Sequence, residues 1–232
     1  EADVADVTIA CMGISQLLEG EEGEAIASPS AGDRDYITLP PHQIEYLKLI
    51  RSKAKKLIVV ITGGSAISIP QVHDIADAII YAWYPGEQGG QAVGDLIFGK
   101  INSTGKLPIS FVNSIGDLPP YEDYDMSNRT YRYFDGDYLY PFGFGLSYSK
   151  IEYSNIKSDI KSFVKGSPVT FSAEITNSSD KPTEEVVQVY VTKHKKQTND
   201  PRVSLKAFKR ISLSPNETKK IDFTLDDKAF SE

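Results

Sequence analysis

Leu57-Ile58-Val59-Val60-Ile61-Thr62-Gly63-Gly64 decides the fold. The run is short, apolar and mostly β-branched, shows no polar alternation, and is closed by two glycines. A strand buried on both faces reads this way, as the strands of a parallel sheet do. Upstream, Val7-Thr8-Ile9-Ala10-Cys11-Met12-Gly13-Ile14 has the same character, and downstream so does Ala78-Ile79-Ile80-Tyr81-Ala82-Trp83. Both are expected to be buried strands as well. The intervals between them are helical. Pro40-Pro41 suits the first turn of a helix, and Ile44, Leu47, Ile50 and Ala54 then share one face. Lys53, Lys55 and Lys56 lie near its C-terminal end, where the macrodipole favours cations. Pro70 to Ala76 predicts a short helix, and Gln91 to Phe98 another that Gly99 stops. Strand, loop and helix in alternation imply a doubly wound parallel sheet.

The turn Tyr84-Pro85-Gly86-Glu87-Gln88-Gly89-Gly90 has neither the Gly-x-Gly-x-x-Gly spacing nor a Gly-Lys-Ser/Thr ending. It reads as a tight turn rather than a phosphate cradle. Asn102 to Pro108 leads into a short strand, Ile109 to Val112. Residues 119–150 then turn to Tyr, Phe, Pro, Gly and Asp without periodicity. Such a segment suits either a sugar-stacking surface or aromatic packing at a domain boundary. Beyond Lys150 the period becomes two: Val169, Phe171, Ala173 and Ile175 alternate with polar residues, as do Val187, Val189 and Val191, and Ile221, Phe223 and Leu225. That pattern, with Asn-, Ser- and Pro-rich turns between, is an antiparallel β-sandwich of immunoglobulin or fibronectin type III character. The expected division is therefore an α/β domain over 1–118, an aromatic-rich linker over 119–150, and an all-β domain over 151–232. About five strands are recognisable where such a sandwich normally has about seven. The last domain thus reads as cut short, with an unpaired strand edge.

Composition narrows the function. The chain is 40% hydrophobic and 25% charged, with a net charge of −7, which argues for a globular protein and against a nucleic-acid partner. No run is long enough to span a bilayer, so no membrane role is expected. The single cysteine, Cys11, lies inside an apolar strand and is expected to be a small core residue. With His42, His73 and His194 scattered, neither a metal site nor a cofactor is expected. The chain opens in mid-pattern without an initiator Met or signal peptide and reads as a piece of a longer or processed protein, so its compartment is not legible. Asn102, Asn128, Asn177 and Asn216 head Asn-x-Ser/Thr sequons, relevant only in a eukaryotic secretory pathway.

One loop carries chemistry. Just past the first strand, Glu19, Glu21, Glu22 and Glu24 fall within six residues, at the strand end where open α/β sheets bind ligands. Like charges at that density raise the pKa of a partly buried member, and a carboxylic acid still protonated near neutrality serves as a general acid. The alternative is a solvated acidic tip, the reading given to Glu24.

Taken together, these segments resemble the C-terminal half of a glycoside hydrolase family 3 enzyme of the β-glucosidase and β-xylosidase type. The likeness rests on Leu18-Glu19-Gly20-Glu21-Glu22, Gly32-Asp33-Arg34, Ala82-Trp83-Tyr84-Pro85-Gly86, Gly89-Gly90-Gln91-Ala92, Gly105-Lys106-Leu107-Pro108, Tyr131-Arg132-Tyr133, Pro141 through Tyr148 and Glu185 through Val191. It implies part of a doubly wound α/β sandwich domain followed by a fibronectin type III-like β-sandwich. It also implies an exo-acting retaining mechanism on an oligosaccharide or aryl glycoside, a β-xyloside or β-glucoside. The nucleophilic aspartate would sit on an N-terminal barrel absent from these residues, and the acid/base glutamate on a loop of the sandwich domain. Glu21 and Glu22 are the candidates for acid/base, Glu19 the third, and Asp33 and Arg34 brace the loop. The chain by itself is expected to be inactive. The alternative is a non-catalytic carbohydrate-binding or structural module.

Overall fold

The computed structural model describes residues 1–20, 34–160, 164, 166–195, 197 and 199–230. They fall into two compact units: the first spans Glu1–Phe98, Ser110–Pro120 and Gly136–Tyr140, and the second Gly99–Ile109, Tyr121–Asp135 and the remainder from Pro141.

In the first unit, β1 (Thr8–Gly13), β2 (Leu57–Thr62) and β3 (Ala78–Trp83) form a parallel sheet with β2 in the middle. The register runs from Thr8 opposite Leu57 and from Ile58 opposite Ala78. A one-turn helix, α1 (Gln16–Glu19), follows β1, and α2 (Pro41–Arg51) and α3 (Pro70–Ile75) each start on the proline the sequence singles out. α4 (Gly89–Ile97) begins two residues earlier than its apolar pattern suggests. Its first residue, Gly89, packs on the Pro85 ring, where a Cβ would come within 2.4 Å, so the glycine-rich segment leading into it is a tight turn. Leu47 of α2 and Val72 of α3 are buried against Leu39, Leu57, Val59, Ile61, Ile67 and Ile69. Each such side chain contributes about 1.5–3 kcal/mol relative to exposure. Asp77, ahead of β3, closes the other end of the sheet. It accepts the Leu57 N–H and pairs with Lys56 (2.9 Å) and Arg51 (2.7 Å), and those contacts hold its carboxyl well below the usual range.

Two expectations need correction here. Only β2 is buried on both faces. β3 is half-buried with Ala78 exposed, because among the described strands β1 and β3 flank β2 and each is covered on one side. For the same reason Cys11 is not a core residue but exposed. Alternation on β1 puts Ala10 in the core and turns Ile9 (44% exposed) and Cys11 to the opposite face. The short strand after Pro108 is β4 (Phe111–Val112), which pairs antiparallel with β5 (Tyr138–Tyr140), a pairing the sequence does not announce. Phe111 is buried edge-on to Tyr81 (5.0 Å between centroids) and Tyr140 (6.0 Å).

The second unit holds β6 (Ile151–Ser158), β7 (Val169–Asn177), β8 (Thr183–Val191), β9 (Ser204–Leu213) and β10 (Thr218–Leu225). They form a three-stranded antiparallel sheet in the order β10-β7-β6 and a two-stranded one, β8-β9. The alternating residues meet as expected: Ile175, Val187, Ile211, Leu213 and Ile221 make the core. Residues 99–109 and 141–150 are part of this unit. The Leu107 N–H donates to the Phe144 carbonyl (2.8 Å), and the Gly143 N–H donates to the Leu107 carbonyl (2.8 Å). Asn102 is saturated. Its Nδ2 donates to Ser149 and Thr183 hydroxyls (both 2.8 Å), and its Oδ1 accepts from Ser147 Oγ and Tyr148 N–H. Lys106 Nζ lies 3.3 Å from the buried Glu185 carboxylate and donates to the Gly145 carbonyl (2.9 Å). Tyr131 of the one-turn helix α5 (Thr130–Tyr133) stacks on Phe142 (4.1 Å between centroids).

Candidate active site

The site grows from the end of β1. A Cβ on Gly13 would lie 2.0 Å from the Thr62 carbonyl, so the strands touch there as only glycine permits. Gln43 of α2 then caps Gly13 on both sides. Its Oε1 accepts the Gly13 N–H (2.9 Å), and its Nε2 donates to the Gly13 carbonyl (2.8 Å). With the strand end fixed, the chain turns through α1 and delivers Glu19 to the C-terminal edge of the sheet.

Glu19 reaches across to the loops that follow β2 and β3. Its Oε1 accepts from the Gly64 N–H (3.1 Å) and the Ser65 hydroxyl (3.3 Å), and its Oε2 from the Tyr84 hydroxyl (2.6 Å). Both partner segments are shaped for this meeting. Trp83 has a left-handed backbone (φ +56°), and the register of β3 shifts beside it; bulges of this kind re-aim side chains, and such strain concentrates at functional sites. Gly64 has no room for a side chain, since a Cβ would lie 2.8 Å from the Tyr84 ring and 3.0 Å from Glu19 Oε2. Burial first, then the hydrogen bond and charge of Glu19, push the Tyr84 phenol up to about 12, which keeps it a hydrogen-bond donor at neutral pH. Tyr81 donates to the Ser65 carbonyl (2.5 Å), and its phenol is raised chiefly by burial. Arg34 Nη2 donates to Ser65 Oγ (2.8 Å), while its Nη1 is sealed from solvent without a hydrogen-bond partner among the described residues.

Of the residues singled out by sequence, Glu19 and Arg34 are thus brought together through one hydroxyl, that of Ser65. Glu21, Glu22, Glu24 and Asp33 lie outside the described residues. Gly64, Ser65, Tyr84 and Gln43 were not picked out as site residues. The available signal was topological: loops after neighbouring parallel strands converge on one edge. Among the described residues no cluster of three or more His, Cys, Asp or Glu is arranged to hold a metal ion. No described helix is long and apolar enough to cross a membrane.

Comparison with known proteins places the fold. The family model for the glycosyl hydrolase family 3 C-terminal domain matches residues 1–148, and that for a fibronectin type III-like domain matches residues 185–232. The chain belongs to glycoside hydrolase family 3. Within the family it is 40% identical over 211 residues to a xylan 1,4-beta-xylosidase of Xylanibacter ruminicola, covering 90% of this chain and 24% of that protein. It is 33% identical to a periplasmic beta-glucosidase of Salmonella typhimurium, covering 97% of this chain and 30% of that one. The crystal structure of a Bifidobacterium adolescentis GH3 beta-glucosidase superposes with a TM-score of 0.83 at 30% identity, over 99% of this chain and 34% of the other. This family 3 chain therefore spans about a quarter to a third of the length of these relatives. It combines a family 3 C-terminal domain with a fibronectin type III-like domain, the architecture that the residue patterns imply.

Proposed function

We propose that the chain supplies the acid/base half of the active site of an exo-acting, retaining β-glycosidase. Glu21 or Glu22 protonates the departing sugar oxygen and later deprotonates the incoming water. An aspartate on an N-terminal barrel forms the covalent glycosyl-enzyme. In a retaining pair the two carboxyls stand roughly 5–5.5 Å apart, so the barrel faces the sheet edge from which the acidic loop departs. The substrate is a β-xyloside or β-glucoside, the classes that the names of the relatives carry. By itself the chain does not hydrolyse glycosides, because it holds one of the two carboxyls.

The observation that carries this reading is the anchoring of the loop's stem. A carboxylate, a serine, a tyrosine and an arginine converge where the chain leaves the C-terminal edge of the sheet. The test is made in the longer, barrel-bearing protein with aryl β-xyloside and β-glucoside. Whichever of Glu21→Ala and Glu22→Ala removes the acid/base is expected to lose rate most on substrates with poor leaving groups, and on an activated aryl glycoside to regain turnover with azide, which attacks the glycosyl-enzyme without a general base. Unchanged rates for both would remove the assignment.

A second reading has its own observation. Tyr121 and Tyr124 are 85% and 86% exposed, on a segment whose carbonyls at Asp123 and Asp125 are held by Arg129. Exposed rings on a braced loop suit stacking against sugar faces. Titration of this chain with xylo- and gluco-oligosaccharides tests a binding role: tight binding lost in Tyr124→Ala supports it, and no binding removes it.

A further inference from the structure

The structure assigns Glu19 and Tyr84 a positioning role: we propose that they form a latch fixing the stem of the acidic loop, and that Glu19 is not the proton donor. The inference rests on the acid/base reading above for its catalytic consequence, but not for the latch itself. Both carboxylate oxygens of Glu19 are engaged, Oε1 by Gly64 and Ser65 and Oε2 by Tyr84. A general acid must instead turn an oxygen toward the leaving group. Two backbone segments are bent to reach this carboxylate. Trp83 adopts a left-handed conformation that β-branched and bulky residues avoid, and Gly64 stands where any Cβ would strike Tyr84 or Glu19. Such features persist where the surroundings over-determine them. The latch also spans three elements that are far apart in sequence: α1, the loop after β2 and the loop after β3.

Its catalytic meaning follows from reach. Glu21 and Glu22 are two and three residues beyond Glu19, and a chain extends at most about 3.3–3.6 Å per residue. Covalent reach alone limits their Cα atoms to roughly 7–11 Å from that of Glu19, and the latch fixes the point from which that reach is measured. A retaining pair tolerates far less wandering than that, since a misplacement of about 1 Å can cost ~10²-fold in rate.

The test has two arms. In this chain, hydrogen–deuterium exchange of the segment 62–66 is compared among wild type, Glu19→Gln and Tyr84→Phe. The Gly64 amide is expected to exchange at least about tenfold faster in both variants, an opening of the size that losing one hydrogen bond to a charged group produces. Unchanged exchange would overturn the latch. In the longer enzyme, the same variants are expected to lower kcat about 10–100-fold, to leave KM nearly unchanged, to hurt poor leaving groups most, and to gain nothing from azide. Azide rescue of Glu19→Ala with formation of a glycosyl azide would overturn the assignment by making Glu19 the acid/base. Wild-type kcat in Tyr84→Phe would overturn it equally. If the Glu21 and Glu22 variants stay active while Gly64 exchange rises, the acid/base reading has failed and the latch has not.

Discussion

Replacing Lys106 by Met removes the ammonium that faces Glu185 at 3.3 Å and its hydrogen bond to the Gly145 carbonyl. The methionine stem fills much the same space, so the change is chiefly one of charge. Orphaning one member of a buried pair costs about 3–5 kcal/mol when both are sealed. Here the Glu185 side chain is 8% exposed and that of Lys106 19%, and the Tyr153 hydroxyl still reaches Glu185 at 3.2 Å. The expected loss is therefore about 2–4 kcal/mol, or a drop of roughly 4–16 °C in the melting point at ~2–4 °C per kcal/mol for a chain of this size. Far-UV circular dichroism follows both units, whereas fluorescence of the only tryptophan, Trp83, follows the first. Comparing the two traces isolates the second unit. Adding Glu185→Gln should recover about half of the loss, because it removes the stranded charge. A melting point lowered by less than about 2 °C, or equal losses for Lys106→Met with and without Glu185→Gln, would refute the reasoning.

Three further outcomes are expected. Gly13→Ala should cost more than about 3 kcal/mol in a urea titration followed by Trp83 fluorescence, since the new methyl would meet the Thr62 carbonyl at 2.0 Å, where backbone cannot yield cheaply. Asp77→Asn should destabilise the first unit at neutral pH but not in acid. The carboxyl is depressed by the Leu57 N–H, then Lys56 and Arg51, so its stabilisation is complete above the unfolded value near ~4 and is lost progressively as pH falls from there toward the depressed folded value; pH-dependent melts of wild type and variant should draw together across that range and meet only at its acid end. Asn102→Ala and Asn102→Asp should both destabilise the second unit, the alanine by about 2–4 kcal/mol, as read from its thermal melt. Each breaks a four-bond arrangement that only an amide satisfies.

Sequence made the strands legible where one physical rule ruled alone. β2 and β3 begin and end where their apolar runs do, and period-two alternation marked the sandwich core at Ile175, Val187 and Ile221. It misjudged Cys11, because an apolar run carries no sign of whether its strand is outermost. β5 and its pairing with β4 were hidden because tyrosines and phenylalanines serve loops and strands alike. The stem of the acidic loop was found, but not what holds it. Tyr84 lies 65 residues from Glu19, and Gln43, on an amphipathic helix, looks like any surface glutamine. Asn177 misled in another way. Read as a glycosylation sequon, it is fully buried, with its amide donating to the Lys181 and Ser214 carbonyls.

The seating of residues 99–109 in the second unit matters to anyone transplanting the β-sandwich. A graft cut at Lys150 would carry away Glu185 and Thr183 but abandon Lys106 and Asn102, exposing sticky seams on a module that looks self-contained in sequence. A donor fragment that keeps both upstream arms, 99–109 and 121–135, with short artificial bridges in place of the stretches between them and Pro141, travels with its own fastenings.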